Sequence, residues 1–256
     1  MKTVQVTRYI TPLREGGSMP AIVEGSDDGM YVLKFRGAGQ GTKALIAELI
    51  AGEIARKLGL PIPDIVLMEL DPALADTEPD PEIQDLIRAS AGINLALDYL
   101  PGSFAFDPAA FSVDSTLASE IVWFDALVCN MDRTRRNTNL LMWHRKLYLI
   151  DHGAALYFHH ASSPIPSRAR DRFPQIKDHV LLANASALSD IDTKLSERID
   201  RQFIENTVAD IPESWLSELP EEAKRLRDEY IRYFCDRLPF PRPFVLEAVE
   251  AYDRLA

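Results

Sequence analysis

Asp132, Asn137 and Asp151 are the residues whose types and spacing could do chemistry in this chain. They lie in N-M-D-R-T-R-R-N, residues 130–137, and in I-D-H-G, residues 150–153. An Asn and an Asp supply hard oxygen ligands of the kind Mg²⁺ takes beside nucleotide phosphates. A separate Asp in a loop can orient a hydroxyl and accept its proton. Between Asn137 and Asp151 run two apolar bursts, 139–143 and 147–150, interrupted by His144, Arg145 and Lys146. That pattern predicts two short strands joined by a tight turn. A hairpin sets the residue before its first strand near the residue after its second. Asn137 and Asp151 should therefore meet at its open end, with Asp132 in the loop just before. Turn chemistry explains any one of these polar residues; all of them around one hairpin favours the chemical reading.

The pattern D-x-x-x-x-N followed by a strand-flanked Asp is the spacing of a protein-kinase catalytic loop and its metal-binding Asp. The usual H-R-D and D-F-G are written here as N-M-D-R and I-D-H-G. In that form the motifs resemble those of the HipA-like atypical kinases, across residues 14–180, and more distantly those of the type II phosphatidylinositol 4-kinases. The resemblance implies an α+β, two-lobed protein-kinase-like fold. A small antiparallel β lobe that binds nucleotide would span residues 1–100, and an α-rich catalytic lobe residues 101–256. It also implies ATP and Mg²⁺, with Asp132 acting on the acceptor and Asn137 and Asp151 holding the metal. One departure stands out: the His often found two residues after the catalytic Asp is Thr134 here, so no role is carried over to that position.

The elements that must position these groups are legible upstream. Residues 3–10, 21–24 and 30–35 read as strands, the last two joined around Gly25 and Gly29. Lys34, between Leu33 and Phe35, would pay a desolvation cost there without anionic partners. Residues 43–58 carry a helical apolar stripe stopped by Gly59 and Pro61. Glu48 falls near that stripe and Glu53 further round. The resemblance makes Glu48 the partner of Lys34, which would hold the nucleotide phosphates. Gly16, Gly17 and Ser18 form the candidate phosphate loop, and the resemblance makes Ser18 a candidate for self-phosphorylation. The glycine-rich R-G-A-G-Q-G-T-K, residues 36–43, fits neither common phosphate-loop pattern and reads as a flexible connection. A strand over 92–100 ends in the expected hinge, so Asp98, Tyr99 and Leu100 would border the adenine through backbone groups.

Residues 71–85 read as a Pro- and acid-rich surface insertion, and 115–129 as a buried apolar helix delivering Asn130 to the loop. Residues 178–184, 190–209, 212–235 and 244–255 read as helices. At 256 residues the chain can bury a substantial core. A net charge of −11 argues against an extended nucleic-acid surface. Within it, Arg133, Arg135 and Arg136 read equally as a local phosphate or acidic-substrate contact and as a solvated loop, while Arg168, Arg170 and Arg172 read first as a solvated activation-segment-like loop and only second as a substrate contact. Two distant cysteines, no apolar run long enough for a span and no signal peptide predict a cytoplasmic protein.

The expected function is an ATP- and Mg²⁺-dependent phosphotransferase acting on serine or threonine of a protein. A lipid or small-molecule kinase and a catalytically inactive nucleotide-binding module are the alternatives. The first reading leaves room for a regulatory protein partner, on which the sequence is silent. The acidic charge and the lack of a basic amphipathic helix weigh against a membrane substrate.

Overall fold

In the computed structural model, residues 1–13, 19–161 and 163–255 are described. Strands β1 (Thr3–Pro12), β2 (Ala21–Gly25) and β3 (Met30–Lys34) lead into helix α1 (Gly41–Lys57). Then follow β4 (Ile65–Leu70), α2 (Pro81–Ala89) and β5 (Gly92–Asp98). These five strands close into a barrel in the order β1-β2-β3-β5-β4. The expectation of an antiparallel sheet needs correction, because β1 pairs parallel with β4, Thr3 opposite Leu67. That pairing covers what would otherwise be two open sheet edges.

β4 is buried along nearly its whole length because both its faces have apolar neighbours. Val66, Met68 and Leu70 point into the barrel with Val4, Val23 and Leu33. Ile65 and Leu67 point the other way, into the main core with α1. Close approach of α1 depends on Gly52, where a Cβ would lie 2.1 Å from Ile65 Cδ1. A side chain at that position, one turn after Glu48, would require Ile65 to change rotamer or the helix to shift.

Residues 71–85 are less peripheral than their composition suggests. A 3₁₀ turn, Pro72–Thr77, precedes α2, which buries Ile83 and Ile87 in the barrel core. Beyond β5 come β6 (Phe104–Ala105), α3 (Ser115–Val128) and the hairpin β7 (Leu140–Trp143) with β8 (Lys146–Leu149). The hairpin turns through His144 and Arg145 at φ 47° and 64°, the paired positive values that match strand twist in a two-residue loop. β6 adds to β7.

The expected helix 178–184 is instead a run of 3₁₀ turns that includes Pro174–Asp178 and Leu182–Asn184. The expected helices 190–209 and 212–235 are each broken. α4 (Leu188–Ser196) and α5 (Arg201–Ala209) part where Asp200 caps α5 by accepting from Phe203 N–H. α6 (Glu213–Leu216) and α7 (Pro220–Arg237) part at Pro220, which starts a helix but cannot continue one. α8 (Pro243–Asp253) ends the chain's helices. Both cysteines are free. Among the described residues no helix is long and apolar enough to cross a membrane.

Candidate active site

β3 and α1 together build one wall of a cleft. Lys34 ends β3, and its Nζ donates to Glu48 Oε2 and to Asp151 Oδ1, both at 2.6 Å. Glu48 is fully buried in α1, whereas the side chain of Asp151 is 47% exposed. Burial alone would lower the pKa of Lys34, but the two carboxylates outweigh it and hold the ammonium above its ordinary value. Burial likewise pushes Glu48 up, and Lys34 with His152 reverses this and keeps it below the usual carboxylate range. His152, itself buried, faces Glu48 Oε1 through Nδ1 at 3.3 Å and packs edge-on against Phe124. Glu53, the other helix carboxylate, pairs with Arg56 on its own helix.

The opposite wall is the loop after α3. Asn137 Nδ2 donates to Asp132 Oδ2 at 2.8 Å, and Asn139 Nδ2 donates to the same oxygen at 3.2 Å and to the Asp132 carbonyl at 3.0 Å. Asp132 N–H donates to Asn130 Oδ1. One carboxylate oxygen of Asp132 is thus held by two amides, the other takes no hydrogen bond among the described residues, and the residue lines the cleft. Asn139 and Asp151 take φ of 47° and 55°, the left-handed region that Asn and Asp tolerate best among residues with a Cβ. Such local conformations persist where the surroundings over-determine them.

Beneath this loop lies a network that the apolar pattern of α3 concealed. Asp125 is fully buried, accepting from Arg133 Nε at 2.6 Å and from Asn130 Nδ2 at 2.9 Å, with His179 Nε2 at 2.9 Å. Arg133 also donates to the Asn139 carbonyl. Burial would raise Asp125, but Arg133 and His179 hold it well below the usual carboxylate range. Arg133 is therefore a buried brace for the loop and not a phosphate or substrate contact. The residues were findable: an Asp inside F-D-A-L-V-C-N, an otherwise apolar helix end, needs a partner.

The cleft between the walls measures about 180 Å³ and is lined by Lys34, Asp132, Asn137 and Asp151 together with Ala38, Gln40 and Gly41. The glycine-rich connection 36–43 thus reaches the site. α1 begins there with no side chain capping it and no acidic residue in its first turn, so the positive end of the helix opens on the cleft. Asp98, Tyr99 and Leu100 lie at the end of β5, away from this lining. The Tyr99 N–H is taken by the Met30 carbonyl at 2.9 Å and the Asp98 N–H by that of Asp64. Gly16, Gly17 and Ser18 lie outside the described residues. The second arginine group serves the fold: Arg168 pairs with Asp171, Arg170 donates to the carbonyls of Asp236 and Pro239, and Arg172 pairs with Glu247 and Glu250.

A lysine held by a helix glutamate, facing an amide-held aspartate across a cleft, is an arrangement suited to phosphoryl transfer. A family model described as HipA-like kinase matches residues 6–234. The chain belongs to the HipA-like kinases. Among solved structures this kinase is similar to the Helicobacter pylori proinflammatory kinase CtkA, with 14% identity, 99% of each chain covered and a TM-score of 0.58. At that identity the likeness shows a shared fold. No curated protein matches the chain.

Among the described residues of the kinase no three His, Cys, Asp or Glu side chains converge as a metal cluster. Mg²⁺ does not ask for one, since it keeps waters and takes one or two carboxylates beside substrate phosphates. Asp151 and Asn137 fit that demand. Asp151 is half-exposed on the cleft, and the amide orientation of Asn137 turns its oxygen away from Asp132.

Proposed function

We propose that this kinase is a two-lobed, ATP- and Mg²⁺-dependent phosphotransferase whose acceptor is a serine or threonine of a protein. Residues 1–100 would form the nucleotide lobe and residues 101–256 the catalytic lobe. The observation that carries the reading is Lys34, shared at 2.6 Å between Glu48 and Asp151, across the cleft from Asp132.

Lys34 is the cation in the cleft lining, and Glu48 and His152 fix where its ammonium points. It would receive the nucleotide phosphates, with backbone N–H groups at the start of α1 beside it. The turn at Asp98, Tyr99 and Leu100 would border the adenine. Asp151 and Asn137 would hold Mg²⁺, which supplies charge neutralisation for the transferring phosphoryl group. Asp132, with one oxygen tied to two amides, presents the other to the acceptor hydroxyl. The hydroxyl oxygen bonds to the γ-phosphorus, the bond from γ-phosphorus to the β-γ bridging oxygen breaks, ADP leaves, and the hydroxyl proton passes to Asp132. ATP as substrate and two unpaired cysteines suit a cytoplasmic setting, where a regulatory protein could also act.

Incubation with γ-labelled ATP and Mg²⁺, alone and then with cell extract, tests this. Label should appear as phosphoserine or phosphothreonine, on Ser18 if the enzyme modifies itself. Label confined to lipid or small molecules would replace the acceptor class. Failure to consume or bind ATP would leave no place for the phosphotransferase.

A further inference from the structure

The loop that presents Asp132 continues through Arg133, Arg135 and Arg136. Arg133 is buried on Asp125. Arg135 and Arg136 are exposed, and among the described residues neither forms an ion pair. Thr134, between Arg133 and Arg135, pairs with His179 in an isolated antiparallel bridge, and Val180 N–H donates to the Arg133 carbonyl at 3.0 Å. That bridge ties the loop to the end of the 3₁₀ turn Pro174–Asp178, and Lys177, exposed and without an ion pair among the described residues, precedes the bridged His179 by two residues as Arg136 follows the bridged Thr134 by two. Asp178 is the exposed acid in the same stretch.

Many of the kinase's other arginines are coupled to its own oxygens, while Arg145 on the β7–β8 turn and Arg232 on α7 are, like Arg135 and Arg136, exposed and without an ion pair among the described residues. Arg168, Arg170 and Arg172 are all engaged, as are Arg201 with Glu205 and Arg225 with Glu229. In a chain of net charge −11, three cations that form no ion pair among the described residues, against the single exposed acid Asp178, give the segment next to Asp132 a local excess of positive charge. Arginine forks match carboxylate geometry in particular. We propose that Arg135, Arg136 and Lys177 form a docking ridge for acidic residues flanking the target hydroxyl, so that this kinase selects acidic peptide acceptors. The inference rests on the phosphotransferase reading of Asp132. The ridge is too short to offset the repulsion between a −11 chain and an anionic bilayer or a nucleic acid; a few carboxylates on a peptide are the scale it fits.

Fluorescence anisotropy of labelled serine peptides flanked by Glu, Ala or Lys reads the ridge without turnover. Wild-type protein should bind the Glu peptide about tenfold tighter than the Ala peptide at low salt, the size two exposed ion pairs produce together. The preference should shrink at about 0.5 M salt. Arg135→Ala with Arg136→Ala should abolish it, while Arg201→Ala with Arg225→Ala, which removes the same charge far from the loop, should retain it. Equal binding of Glu and Ala peptides, a preference that survives the first pair, or one lost equally in the second pair overturns the ridge. Binding to phosphatidylserine vesicles through the same arginines, with no peptide preference, would make it a membrane contact instead. Label transfer from ATP is followed in the same preparations. A Glu preference without transfer rejects the phosphotransferase alone, and transfer without a Glu preference rejects the ridge alone.

Discussion

Two carboxylate–cation networks lie on either side of the loop that carries Asp132, and they differ in one respect. Lys34, Glu48 and Asp151 meet at the cleft, where the Asp151 side chain is 47% exposed. Asp125, Arg133 and His179 meet beneath the loop, where none of the three side chains is more than 1% exposed. Both keep every charge paired, as low-dielectric surroundings require. Only the first has a member that solvent or a ligand can reach, so only the first can exchange partners. The second can do no more than hold Asn130, Arg133 and Asn139 where Asp132 needs them. The same residue types thus make a working site or a brace according to whether one wall is open.

The open side carries the largest expected effect. Asp132→Asn should lower phosphoryl transfer about a hundredfold to ten-thousandfold, the range of general-base catalysis, while calorimetry finds Mg·ATP binding and a thermal midpoint near wild type. Wild-type transfer in that variant would remove the loop from the chemistry. On the closed side, Asp125→Ala leaves Arg133 buried without its partner and should cost about 3–5 kcal/mol in urea unfolding. A loss under about 1 kcal/mol would show that the brace is dispensable. Lys34→Met comes next: the protein should stay folded while ATP affinity or turnover falls by an amount equivalent to about 1.5–3 kcal/mol, the worth of hydrogen bonds to a charged group. If its stability falls as far as that of Asp125→Ala, the two networks are not different in kind.

The smallest effect is on acid sensitivity. Burial holds His159 down to about 3 and lowers His179 as well. In the unfolded chain both take up protons near pH 6.5. Between those values the unfolded state binds protons that the folded state refuses, so stability should fall as pH drops below about 6.5. The slope is at most about 1.4 kcal/mol per pH unit for each site. The depressed carboxylates Glu48 and Asp125 add their losses only below their unfolded values near 4. Denaturation midpoints from pH 7.5 to 5 should therefore decline, and His159→Gln should flatten the decline.

Much of the open network was legible in the chain. Lys34 stands out because a cation flanked by Leu33 and Phe35 must have partners, and Glu48 because it falls near an apolar stripe. Asp132, Asn137 and Asp151 follow from local spacing and one hairpin, whose pairing the structure shows with Trp143 opposite Lys146. The closed network was hidden because its members come from distant segments. His179 reaches Asp125 only through the 3₁₀ turns that replace an expected helix. Periodicity reads residues 115–129 as uniformly apolar and passes over the one carboxylate with a structural purpose. His152 was missed for a different reason: its neighbour Asp151 drew the reading, and only packing shows the imidazole turned toward Glu48. Parallel closure of the barrel was likewise out of reach, since β1 and β4 are joined by contacts that no local pattern records.

Arg237, at the end of α7, donates to the carbonyls of Ala126, Leu127, Ala169 and Asp171 and stacks over Phe244. The last carbonyls of α3, from which the Asp132 loop departs, thus find their donor 110 residues away. Contacts of that separation form late, because the intervening chain must close first. The loop has no means of setting itself ahead of the whole, and partial unfolding that frees α7 should loosen it too. Amide hydrogen exchange at Asn130, whose N–H is bonded to the Asp125 carbonyl, should then report global opening and not local fraying.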